Sequence, residues 1–91
     1  MRFEWDEKKR LINIKKHGID FIDVPVMFKF DTITVIDDRF VYEEVRYQTL
    51  GLLKSRVILV VHTESETVIR IISARRATKY EEKIYFQQIS N

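Results

Sequence analysis

Arg56-Val57-Ile58-Leu59-Val60-Val61-His62-Thr63, then Glu64–Glu66, then Thr67-Val68-Ile69-Arg70-Ile71-Ile72-Ser73-Ala74, is the stretch that decides the fold. Two runs rich in β-branched residues, joined by a short polar turn, read as neighbouring antiparallel strands. Upstream, Lys54-Ser55 is another tight turn. Before it, valines and aromatics between Val41 and Leu53 predict a strand bent at Gly51. Thr32–Asp37 is a further strand, and Asp37-Asp38 opens the turn after it. Downstream, Thr78 and Glu81 form a capping box that starts a helix running to about Gln88. Tyr80 with Ile84, and Tyr85 with Ile89, are its apolar pairs, and its tyrosines and Phe86 read as core.

The N-terminal third reads as strand, helix, helix. Phe3–Trp5 is a short strand. Asp6 caps a helix over 7–17 whose last turn holds Lys15, Lys16 and His17, and Gly18 is placed to end it in the left-handed conformation. Its apolar stripe is thin, only Leu11 and Ile14 with Ile12 beside them. A second helix covers about 21–29. Pro25 is tolerated in a first turn, which puts its start near Asp23 or Val24. The order is β-α-α-β-β-β-β-α. Helices on one face of a mostly antiparallel sheet make an α+β domain over residues 1–91.

Composition narrows the function classes. The chain has 91 residues, 45% hydrophobic, with 2 Gly and 1 Pro, which argues against disorder and long loops. It has no Cys, so no disulfide, thiol nucleophile or thiolate zinc site is available. Val57–Val61 is the longest apolar run, far below the ≈ 20 residues of a membrane span. The charged N-terminus lacks the apolar centre of a signal peptide. The expected location is the cytoplasm.

Net charge is only +2, yet its layout is uneven. Lys8, Lys9, Arg10, Lys15, Lys16 and His17 crowd one stretch. Arg70, Arg75, Arg76 and Lys79 crowd another, and acids gather between them. Two basic stretches suit a polyanion. His17 and His62 are the only imidazoles and no metal-ligand spacing occurs, so no metal or cofactor is expected. Two isolated glycines cannot build a phosphate loop. What remains is a basic site near the N-terminus of the last helix, whose N–H groups favour an anion. Glu44, Arg46 and Gln48 alternate onto one strand face. Ile69, Ile71 and Ser73 share a face, Arg70 points to the other, and Arg75 and Arg76 follow the strand. Arg70 and Arg75 can alternatively pair with Glu44 and Glu81 as structural salt bridges.

These residues resemble a family. Phe3-Glu4-Trp5-Asp6 with Asn13, Lys16-His17-Gly18 and Phe21 is similar to the start of the BrnT toxins. So are Glu44-x-Arg46 with Gly51, and Arg70-Ile71-Ile72-Ser73-Ala74-Arg75 with Ala77-Thr78, Glu81 and Tyr85. Pro25, Glu43 and His62 depart from the usual pattern without breaking these blocks. The resemblance implies a RelE-like fold and a type II toxin–antitoxin system. It implies a ribonuclease toxin that cuts RNA and arrests translation. A BrnA-type antitoxin from the neighbouring gene would block it and repress the operon, so operator DNA is met only through the antitoxin, in a dimer of toxin–antitoxin heterodimers.

Metal-free RNA cleavage needs a base for the 2′-hydroxyl, a cation for the developing charge and an acid for the leaving oxygen. The candidates are Arg75, His17, Arg46 and Glu44 for catalysis, with Lys16, Asn13, Arg70, Arg76 and Lys79 for phosphate. The alternatives are a non-catalytic module binding RNA or an acidic protein, and a degenerate toxin that only binds antitoxin.

Overall fold

The computed structural model describes residues 1–39, 41 and 43–90. Elements follow the expected order: β1 Arg2–Trp5, α1 Glu7–His17, a 3-10 helix Phe21–Lys29, β2 Thr32–Ile36, β3 Tyr47–Leu53, β4 Arg56–Glu64, β5 Val68–Arg76 and α2 Lys79–Ile89. They build one five-stranded sheet in the order β1-β5-β4-β3-β2. All neighbours are antiparallel except β1, which runs parallel to β5.

The run Val57–Val61 explains the layers. Every residue of it is buried, so both faces of β4 need cover. Ile58 and Val60 face the 3-10 helix and its Phe21, Val24 and Met27. Val57 and Leu59 face α2 through Tyr85. The expectation of helices on one face is therefore corrected: they lie on both. α1 and the 3-10 helix cover one side and α2 the other.

The second helix corrects another expectation. It starts at Phe21 and is capped by Asp20, whose carboxylate accepts from the Ile22 N–H. Three residues per turn align Phe21, Val24 and Met27 on one face, and all three are at most 1% exposed. An α-helix would have split them. Gly51 lies under this helix, where an added Cβ would stand 2.6 Å from Met27 Cγ.

α1 carries its caps as expected: Asp6 accepts from the Lys8 and Lys9 N–H groups, and Gly18 is left-handed with φ 71°. Of its apolar stripe only Ile14 is half-buried; Leu11 and Ile12 are exposed, and Asn13 is the buried residue. In α2, Tyr85 is buried, whereas Tyr80 and Phe86 are exposed rather than core.

Strand boundaries shift too. β3 begins only at Tyr47, so Glu44 and Arg46 precede the strand, and Tyr42 lies outside the described residues. β5 runs through Arg76, so Arg75 and Arg76 lie on the strand, not after it. A bulge falls where Val61 pairs Ser73 and His62 pairs Ile71. The extra residue reverses parity, so Ser73 leaves the face of Ile69 and Ile71. Among the described residues no helix is long and apolar enough to cross a membrane.

Candidate active site

Arg75 stands on the α2 side of β5, opposite Leu59. Its Nη1 and Nη2 donate to Glu81 Oε1 and Oε2 at 2.9 and 3.0 Å. Glu81 Oε1 also accepts from the Thr78 N–H at 2.8 Å, and the Glu81 N–H donates back to Thr78 Oγ1. One carboxylate thus closes the helix cap and orients the guanidinium. Arg75 beside it holds the Glu81 carboxyl below its ordinary range. The Arg75 side chain keeps about a third of its surface exposed.

The same sheet face continues away from α2. Ser73 pairs Val61, which pairs Gln48. Arg70 pairs Thr63 in the next row. Arg46 extends the β2–β3 ladder by one step, its C=O accepting from the Asp37 N–H at 2.7 Å, and shares parity with Gln48. Asp37 is itself buried and bound by Arg39 at 2.8 Å. Glu44, Thr63, Arg70 and Glu4 line a groove of about 450 Å³ at this end of the sheet. Arg70 lies 3.5 Å from Glu4, so its structural partner is Glu4 and not Glu44. Arg70 and Arg75 therefore share one face of the sheet, Arg46 precedes β3 at the edge of that face, and Glu44 lines the groove beside Arg70.

The remaining candidates lie elsewhere. His17 and Arg76 line a second cleft of about 400 Å³ on the α1 side, with Lys54, Arg56, Asp20 and Asp23. Alternation along β5 sends Arg75 and Arg76 to opposite faces, so His17 and Arg75 do not meet. Lys54 and Arg56, which line this cleft, were not among the candidates read from the sequence. Their only signal was the turn, where Lys54 and Ser55 both take positive φ. Lys16 is exposed on α1, and Lys79 is exposed at the start of α2.

Asn13 is committed to backbone. Its Nδ2 donates to Ile19 C=O and Ala74 C=O at 2.9 and 2.8 Å, and its Oδ1 accepts from the Ala74 N–H at 3.1 Å. β1 pairs β5 only as far as Ile71. The Asn13 amide takes up the ladder beyond that point, like a single residue of an added strand.

His62 is buried in β4. Its Nε2 shares a 2.7 Å hydrogen bond with Thr49 Oγ1, which shares another with Thr34 Oγ1. Tyr47 stacks on the ring and Phe28 meets it edge-on. Burial pushes its pKa below the ordinary 6.5, which favours the neutral ring. Among the described residues no group of three or more His, Cys, Asp or Glu side chains can hold a metal ion.

The class defined by this geometry is a small α+β domain with an arginine-bearing sheet face suited to phosphate. The sequence model of the BrnT family, described as the ribonuclease toxin of a type II toxin–antitoxin system, matches residues 5–81, and the chain belongs to this family. No curated protein matches the chain.

Proposed function

We propose that the chain is a RelE-like, metal-independent endoribonuclease that arrests translation, and that RNA lies across the sheet face holding Arg46, Arg70 and Arg75. The observation that carries the reading is the pair Arg70 and Arg75 on one sheet face, with Glu44 in the groove beside Arg70. Guanidinium groups match phosphate oxygens bidentately and stay charged at any physiological pH. Arg75, oriented in advance by Glu81, stabilises the charge that builds on the phosphate. Glu44, in the groove with Arg70, is placed to take the 2′-hydroxyl proton as that oxygen attacks the adjacent phosphorus. The P–O5′ bond breaks, and the leaving oxygen takes a proton from an acid. A 2′,3′-cyclic phosphate and a free 5′-hydroxyl result. His17, across the sheet, is left for a flanking phosphate with Arg76. A BrnA-type antitoxin neutralises the toxin in the cytoplasm.

The test is cleavage of RNA in EDTA by the chain, by Arg75→Ala and by Glu81→Gln. Loss of an oriented charged donor costs about 2.7–4 kcal/mol, or ~10²–10³ in rate, in Arg75→Ala. Glu81→Gln keeps a capping oxygen and only loosens Arg75, so it loses about tenfold or less. Equal losses in the two variants would make Arg75 a support for the helix cap, and full activity of Arg75→Ala would refute its role. No cleavage by the soluble wild-type chain would refute the enzyme reading.

A further inference from the structure

β2 is the outermost strand, and among the described residues no further strand pairs with it. The Asp37–Arg46 hydrogen bond fixes which backbone groups are spent on β3. In an antiparallel ladder bonded pairs alternate, so Val35 with Gln48 and Ile33 with Leu50 are also bonded. Thr32, Thr34 and Ile36 then turn their N–H and C=O groups outward.

Natural edge strands are protected by charge, proline or a bulge. Thr32-Ile33-Thr34-Val35-Ile36 has none of these. Val35 is 55% exposed on one face and Ile36 63% on the other. Thr34 also lines a cavity of about 600 Å³ whose walls are mainly apolar, from Phe3, Pro25, Phe28 and Ile69, with His62, Lys29 and Glu64 beside them. A side chain opposite Thr34 on an added strand has an apolar wall beside it.

In the register centred on Thr34, a second copy of the chain fits this edge badly. Twofold pairing centred on Thr34 sets Asp31 against Asp37 of the other copy, and Lys29 against Arg39. Like charges directly opposite are destabilising. RNA fits worse still, because the paired stretch carries no cation. Membership of a type II system supplies a third occupant, the antitoxin.

We propose that β2 is the docking edge for the antitoxin: an extended, uncharged and largely apolar segment of it pairs with Thr32, Thr34 and Ile36 as an added strand and directs one apolar side chain toward the cavity beside Thr34. The proposal rests on the antitoxin reading above. It uses the side of the sheet farthest from β5, so inhibition requires the antitoxin to reach beyond this strand.

The experiment is amide hydrogen exchange on the toxin alone and co-purified with the antitoxin encoded beside its gene. Thr32, Thr34 and Ile36 amides slow by about tenfold or more in the complex, beyond the change at Ile33 and Val35, which β3 already protects. A second arm uses Ile36→Pro, which removes an outward donor and spares the β3 ladder. It keeps wild-type RNA cleavage and melting, and binds antitoxin about ten- to a hundredfold more weakly. A complex with the three amides unprotected overturns the docking edge and leaves the antitoxin reading intact. Protection of the same amides in the concentrated free chain overturns it in favour of self-pairing. Failure to form any complex refutes the antitoxin reading, and this proposal falls with it.

Discussion

Replacing Asn13 with alanine should destabilise the chain far more than a surface helix residue would. Asn13 is 5% exposed, and its amide serves three backbone groups, the Ala74 N–H, the Ala74 C=O and the Ile19 C=O. Alanine leaves all three in a buried place with no partner. At about 1 kcal/mol or more for each group left unsatisfied, the loss is roughly 3 kcal/mol. That is a large part of the 5–15 kcal/mol typical of a domain. In a chain of this size it lowers Tm by about 12–24 °C. Asn13→Asp should do no better, since a carboxylate accepts from Ala74 N–H but repels both carbonyls. The assay is urea unfolding followed by tryptophan fluorescence of Trp5. With a slope of about 1–3 kcal/mol/M, the midpoint falls by ~1 M or more at unchanged slope. RNA cleavage, scaled to the folded fraction, stays near wild type. A stability loss under about 0.5 kcal/mol with lost RNA binding would refute this reasoning and return Asn13 to the RNA site.

Gly51→Ala drives a Cβ to 2.6 Å from the buried Met27 side chain, so overpacking should cost about 1–3 kcal/mol, read as a Tm drop of ~4–24 °C. For His62 the folded pKa lies below 6.5, so the unfolded chain binds the proton more readily. Its stabilisation is complete above pH 6.5 and declines as pH falls below it. Unfolding free energy between pH 7 and pH 5.5 should therefore drop more steeply in wild type than in His62→Gln. Parallel pH curves would show that Glu64, which favours the charged ring, already offsets the burial.

Much of the fold could be read from local chemistry. Asp6, Gly18 and Thr78 with Glu81 cap the helices as their side chains predict. β4 and β5 stand out by composition. What failed had a tertiary cause. The bulge after Val61 cannot be seen in a period-two pattern, yet it decides where Ser73 points. Three-residue periodicity at Phe21, Val24 and Met27 was there, but helical spacing of 3.6 concealed it. The alternation of Arg75 and Arg76 needed only the correct end of β5. Asn13 looked like a polar residue on a basic helix face. Its true neighbour, Ala74, is distant in sequence, and nothing local announces it.

The sheet order also sets when the chain can fold. β1, the first strand made, finds its partner in β5, the last, and α1 waits on the same strand through Asn13. α2, the final element, covers the other face of β4 through Tyr85. Non-local pairing of this kind is slow, and its loop-closure cost falls before any contact repays it. β1 and α1 gain their sheet partner only once β5 has been made. Arg75 and Glu81 follow β1 to β4 in chain order, so a nascent chain that stops short of them carries no assembled arginine face. The arginine face is thus assembled only once β5 and α2 have both been made.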